Sequence, residues 1–151
     1  MNRRWMFRML ATAAVILPAA KSAAIAGEKK THRLAIHIDQ NDAEVMKLAL
    51  NNARNVYDLY KERGDEVAIE LVTYSQGLHM LREDTSPVKE EIRELRKTVG
   101  QVAFAACNHT KTGMEKREGK PVPLIAEATI VPAGVVRLME LQEQGYAYVK
   151  P

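Results

Sequence analysis

The sequence of 151 residues contains a single cysteine, Cys107. One cysteine closes no internal disulfide, and a thiol with one neighbouring histidine supplies too few ligands for a structural zinc site. No long hydrophobic run is present either. The most apolar stretch, Met9 to Ala20, is too short to span a bilayer comfortably, which argues against stable membrane insertion. There is no HExxH pair, no Ser/His/Asp order and no phosphate loop, and Gly113, Gly119 and Gly134 form no GxGxxG fingerprint. Internal repeats, low-complexity tracts and a dividing linker are also missing. These absences leave the thiol as the main carrier of candidate chemistry.

What is present begins with an address. Arg3, Arg4 and Arg8 precede the apolar stretch without an acid among them, and Ala24-Ile25-Ala26 follows it. A positive head, a short apolar segment and an A-x-A end make a secretory signal peptide over residues 1–26. Arg3-Arg4 hints at the twin-arginine route, although Trp5-Met6-Phe7 fits its motif poorly. The expected location is periplasmic or secreted, with cleavage near Ala26. The leader carries four cations, so removing it leaves 18 Lys and Arg against 19 Asp and Glu, a net of −1 instead of +3. The basic pI of about 9.0 therefore belongs to the leader. The mature chain offers no cationic surplus for nucleic acid or an anionic surface. Its 125 residues (27–151) suffice for one domain with a core.

Strand and helix signals alternate along that domain. Arg33 to Ile38 reads as a strand, and Asp39-Gln40-Asn41-Asp42 as a turn whose last residue caps a helix. Val45, Met46, Ala49, Leu50, Ala53, Val56, Tyr57 and Tyr60 recur at helical spacing up to Gly64, a C′ glycine. Val67 to Thr73 is a second strand, and Ser75 to Arg82 a short helix or turn. Ser86-Pro87 reads as an N-cap with proline at N1, opening a helix with the stripe Val88, Ile92, Leu95 and Val99. The mixed charges of Lys89 to Lys97 mark its solvated face. Val102 to Ala106 is a third strand, Asn108 to Gly119 is helical for a turn or more, and Pro121-Val122-Pro123 breaks it. Ala128 to Val131, a helix from Pro132-Ala133-Gly134 to Gly145, and Tyr146 to Val149 complete the chain. Five strands separated by helices imply right-handed crossovers and a mainly parallel sheet covered on both faces. The expected class is a three-layer α/β/α domain.

Ligands of open parallel sheets collect at the carboxyl ends of the strands. That rule gathers Asp39 with Asn41, then Tyr74, Ser75, Gln76 and Gly77, and finally Cys107, Asn108, His109 and Thr110. Cys107 ends an apolar strand where a helix begins, and the unpaired N–H groups and dipole there favour a thiolate, the reactive form of sulfur. The competing reading is a buried small hydrophobe at a strand end. His109 is a thiolate partner, a soft-metal ligand beside Cys107, or a capping or exposed histidine. His37 reads as a core histidine, and His79 as lining the same edge or facing solvent. Asp39 and Asn41 orient a ligand or simply form the turn. Tyr146 and Tyr148 share one face of the last strand, in a subunit interface or at the margin of the core.

The order of segments resembles the DsrE/DsrF-like family of small sulfur-relay proteins. The resemblance rests on Ile36-His37-Ile38-Asp39, on Ala49-Leu50-Asn51-Asn52-Ala53-Arg54, and on Glu70-Leu-Val-Thr-Tyr-Ser-Gln-Gly-Leu78. Val102-Ala-Phe-Ala-Ala-Cys107, Val131-Pro-Ala-Gly-Val135 and Gln144-Gly-Tyr-Ala-Tyr148 complete it over residues 33–150. It implies a flavodoxin-like fold, assembly into trimers or hexamers, a sulfur donor or acceptor protein as partner, and a persulfide-carrying cysteine at Cys107 with no other cofactor. This chain departs from the family's Cys-Gly-Asn-Thr by reading Cys107-Asn108-His109-Thr110, and from its usual cytoplasmic setting by its leader. Three functions stay open: sulfur carrier or sulfurtransferase, a non-catalytic oligomeric module for a small ligand or partner, and a soft-metal site at Cys107 and His109.

Overall fold

The structure, a computed structural model, describes residues 29–151; the predicted signal peptide lies outside the described residues. Five strands, β1 (Thr31–Ile38), β2 (Glu66–Thr73), β3 (Val102–Cys107), β4 (Ala128–Val131) and β5 (Ala147–Val149), form one sheet in the order β4-β3-β2-β1-β5. Every neighbouring pair is parallel. Helices α1 (Ala43–Glu62), α2 (Lys89–Thr98), α3 (Asn108–Glu118) and α4 (Gly134–Glu143) make the crossovers, with a 3₁₀ helix over Ser75–Leu81. The result is a three-layer α/β/α domain of flavodoxin-like type.

The strand order dictates which face each helix covers. Steps β1 to β2, β2 to β3 and β3 to β4 run the same way across the sheet, so right-handed crossovers put α1, α2 and α3 on one face. The step from β4 to β5 runs back, which puts α4 alone on the other. Packing agrees. Met46, Leu50, Ile92, Leu95 and Met114 bury against Leu34, Ile36, Ile69, Leu71 and Phe104, whereas Leu138 and Leu141 meet Ala35, Val72 and Ala105. The first face is the large core, and the second is a thin contact floored by two alanines and a valine.

Local signals explain the element ends. Asp42 caps α1, its Oδ1 accepting from the Glu44 and Val45 N–H groups at 2.8 and 3.2 Å. Gly64 follows the helix at φ +80°, a conformation that costs an L side chain dearly. Gly77 is required for space, because a Cβ there would lie 2.2 Å from the Ile38 carbonyl oxygen. The expected cap of α2 is corrected. Helix α2 begins at Lys89 with Val88 as N-cap, and Ser86 lies outside it. The Ser86 hydroxyl instead donates to the Met80 carbonyl at 2.6 Å and accepts from the Val88 N–H at 3.3 Å. It ties the approach loop to the 3₁₀ helix, which delays the helix start by two residues. Arg82, fully buried, makes paired bonds to Asp84 (2.8 and 2.7 Å) and Glu118 (2.5 and 2.9 Å), fixing the C-terminal end of α3.

Candidate functional site

Crossovers change face between β3, whose chain leaves to α3 on one side, and β4, whose chain leaves to α4 on the other. Between two such strands the departing loops diverge and open a crevice beyond their carboxyl ends. Cys107 is the last residue of β3 and sits opposite Val131, the last of β4. The thiol therefore occupies the switch point of the sheet, and α4 begins three residues beyond its β4 partner.

Cys107 is also the N-cap of α3, its Sγ accepting from the Thr110 N–H at 3.4 Å. Although 4% exposed, it lines an open pocket of about 320 Å³ with Tyr74, His109, Thr110, Ala133, Gly134 and Val135. Burial pushes the thiol up. The Thr110 hydroxyl and the N–H groups of Thr110, Gly134 and His109 outweigh that push and hold Cys107 below its ordinary value. The His109 N–H is shared, since it also donates to the Pro132 carbonyl at 3.3 Å. The first residues of α3 and of α4 thus line one pocket with the sulfur. Partial positive charge at both ends favours the thiolate over the thiol.

The neighbouring loop supports this arrangement. The Ser75 N–H donates to Thr110 Oγ1 at 3.0 Å, and Ser75 holds φ +49°, a strained conformation for a residue with a Cβ. That bond fastens the β2 loop to the first turn of α3. Tyr74 forms the pocket wall between two close neighbours. Its ring stacks on His37 with centroids 4.6 Å apart, and Gly134 approaches so closely that a Cβ would lie 2.7 Å from the ring.

The sequence-predicted residues divide accordingly. Cys107, His109, Thr110, Tyr74 and Ser75 are brought together. Asn108 is exposed and faces a separate pocket of about 240 Å³ with Thr112 and Lys116. Gln76 is exposed and lies outside the thiol pocket. Asp39 belongs to another cluster, at the β1–β5 end, and accepts from Lys150 Nζ at 2.7 Å. The three segments do lie along one edge, the carboxyl edge of the parallel sheet, but Asp39 stands outside the thiol pocket, because β1 and β3 flank β2 and Tyr74 stands between their ends. His79 bonds Thr85 at 2.8 Å, away from the thiol. Among the described residues no group of three or more His, Cys, Asp or Glu is placed to hold a metal.

Sequence reasoning missed two features. His37, 5% exposed, pairs its Nδ1 with the Tyr148 hydroxyl at 2.7 Å, while its Nε2 has no partner and lies 3.8 Å from Asp39. Burial is the main cause that lowers its pKa, against an opposing pull from Asp39. The second is Glu70, buried on β2, which takes a bidentate pair from Arg137 of α4 at 2.7 and 2.7 Å. A charged residue in the middle of an apolar strand was the available signal.

No family model matches the chain, and no curated protein is similar to it. Among solved structures, the protein of unknown function MTH1491 from Methanobacterium thermoautotrophicum is similar, with a TM-score of 0.66. The match covers 80% of this chain and 99% of that one. At 30% identity over that length, the chain belongs to the same family as the MTH1491 protein.

Proposed function

We propose that this protein is an exported sulfur carrier or sulfurtransferase of DsrE-like type that works through Cys107. The observation that carries the reading is a thiol that accepts the Thr110 N–H at the N-terminus of α3 and lines one pocket with the first residues of α4, at the switch point of the sheet. A thiolate held this way attacks the outer sulfur of a sulfane donor such as thiosulfate. A new S–S bond forms at Cys107, the donor's S–S bond breaks, and its electron pair leaves on sulfite. Cys107 then carries a persulfide anion under the same N–H groups. An acceptor thiolate attacks the outer sulfur, takes it as its own persulfide and returns Cys107 as thiolate. Charge and atoms balance in both steps, and no metal or organic cofactor is needed.

Two further observations support the setting. The open pocket has a largely apolar wall, which leaves few polar groups to hold water beside a persulfide, and the exposed Val135, Val136 and Met139 on the outer face of α4 favour assembly into an oligomer beside the pocket. Intact-mass analysis after incubation with thiosulfate or polysulfide tests the proposal. A gain of about 32 Da on the wild type, absent from Cys107→Ser, is expected; equal behaviour of the two proteins refutes the proposal.

A further inference from the structure

Helix α4 and its N-cap bring Ala133, Gly134 and Val135 into the pocket of Cys107, yet the hold of α4 on the sheet is slight. It has ten residues, too few to be stable without tertiary contacts. Its buried leucines, Leu138 and Leu141, rest on Ala35, Val72 and Ala105. Leucine on an alanine floor fixes the distance between helix and sheet, but apolar contact is non-directional, so it leaves sliding and rotation of the helix weakly opposed. The bidentate pair between Glu70 and Arg137 is directional. Both bonds are 2.7 Å long, and Glu70 is 7% exposed in the centre of the sheet. Arg137 lies within the first turn of α4, its N–H bonded to the N-cap carbonyl of Ala133 at 3.0 Å. A cation there opposes the helix dipole, so this position needs a reason other than helix stability.

We infer that Glu70 and Arg137 are positioning residues for Cys107: their bidentate bond sets the rotation and axial placement of α4 so that its N-terminus, at Gly134, stays in the pocket of the Cys107 thiol. The narrow seat of Gly134 makes that placement matter. Its Cα stands against the Tyr74 ring so closely that no Cβ fits, and both Gly134 and Tyr74 line the thiol pocket. A small slide of α4 moves its N-terminus away from the sulfur and lets the Tyr74 ring into the vacated space. The inference rests on the activated-thiol reading of Cys107, and adds the groups that hold the N-terminus of α4 beside the thiol.

The test is the rate of Cys107 alkylation by iodoacetamide against pH, which follows the thiolate fraction and needs no sulfur donor. Wild type, Arg137→Met and Glu70→Gln are compared, with circular dichroism as the check on folding. Positioning predicts that both variants raise the midpoint of the profile by about one pH unit, a tenfold loss of thiolate at pH below it. A direct effect of charge predicts opposite shifts, because Arg137→Met leaves an extra negative charge and Glu70→Gln an extra positive one. Opposite shifts, or a lowered wild-type midpoint that neither variant moves, overturn the inference and spare the activated-thiol reading. A wild-type midpoint at the free-thiol value overturns both. Should Arg137→Met fail to fold, Glu70→Gln, which keeps the shape of the side chain, decides by the direction of its shift.

Discussion

Cys107 is a residue on which two effects compete, and the stronger one has consequences for pH. Burial disfavours its charge, while the Thr110 hydroxyl and three N–H groups favour it and prevail. A group whose pKa is lowered on folding stabilises the native state above its unfolded pKa, and that contribution is lost as pH falls through the folded value. The stability difference between wild type and Cys107→Ser is therefore expected to grow as pH rises from 6 to about 9, measured by urea unfolding; a difference independent of pH contradicts this account of the thiol. His37 is also lowered, chiefly by burial, so it too stabilises above about pH 6.5 and that gain disappears as pH falls below it. The slope of stability against pH between 4 and 6.5 should flatten in His37→Gln. Tyr148→Phe removes the partner of His37 Nδ1 and is expected to cost about 1 kcal/mol, read as a lower unfolding midpoint. The thiol's place at a strand end was legible from its apolar run and following polar residues. The Tyr148 bond to His37 was not, because 111 residues separate them and neither residue type specifies the other.

Elements show the same division between local and non-local signals. The Asp42 cap, the Gly64 stop and the stripe of Val88, Ile92, Leu95 and Val99 depend on neighbours a few residues away, and all stand where the sequence puts them. Ser86 failed as a cap because its hydroxyl found the Met80 carbonyl, a partner supplied by the 3₁₀ helix. Periodicity gives five strands but not their order. That β5 returns beside β1, and not beyond β4, decides that α4 lies alone on its face and that the crevice opens between β3 and β4. Gly77→Ala tests the close approach of the 3₁₀ helix to β1. Its Cβ would collide with backbone, so a loss of about 1–3 kcal/mol is expected in thermal unfolding, and a neutral result would show that the loop yields.

At the scale of the molecule, the two faces of the sheet are unequal. One is sealed by three helices and a large core, and the other carries a single helix whose outer side exposes Val135 and Met139 at 56% each and Val136 at 47%. These three residues form one stripe at helical spacing, and Val135 also lines the thiol pocket. The proposed oligomer covers this stripe. Sedimentation of the protein is expected to give a species larger than a monomer, and Val136→Glu combined with Met139→Glu to give a monomer with unchanged circular dichroism. A monomeric wild type would remove this face from the account.

Whether Cys107 carries sulfane sulfur is read from the intact mass of wild type after treatment with thiosulfate, before and after dithiothreitol. A persulfide and a sulfinic acid both add about 32 Da, but only the persulfide is released by a thiol reductant. A sulfur-carrying Cys107 gains about 32 Da that dithiothreitol clears, restoring the original mass. An unchanged mass, or a gain that survives the reductant, contradicts that role.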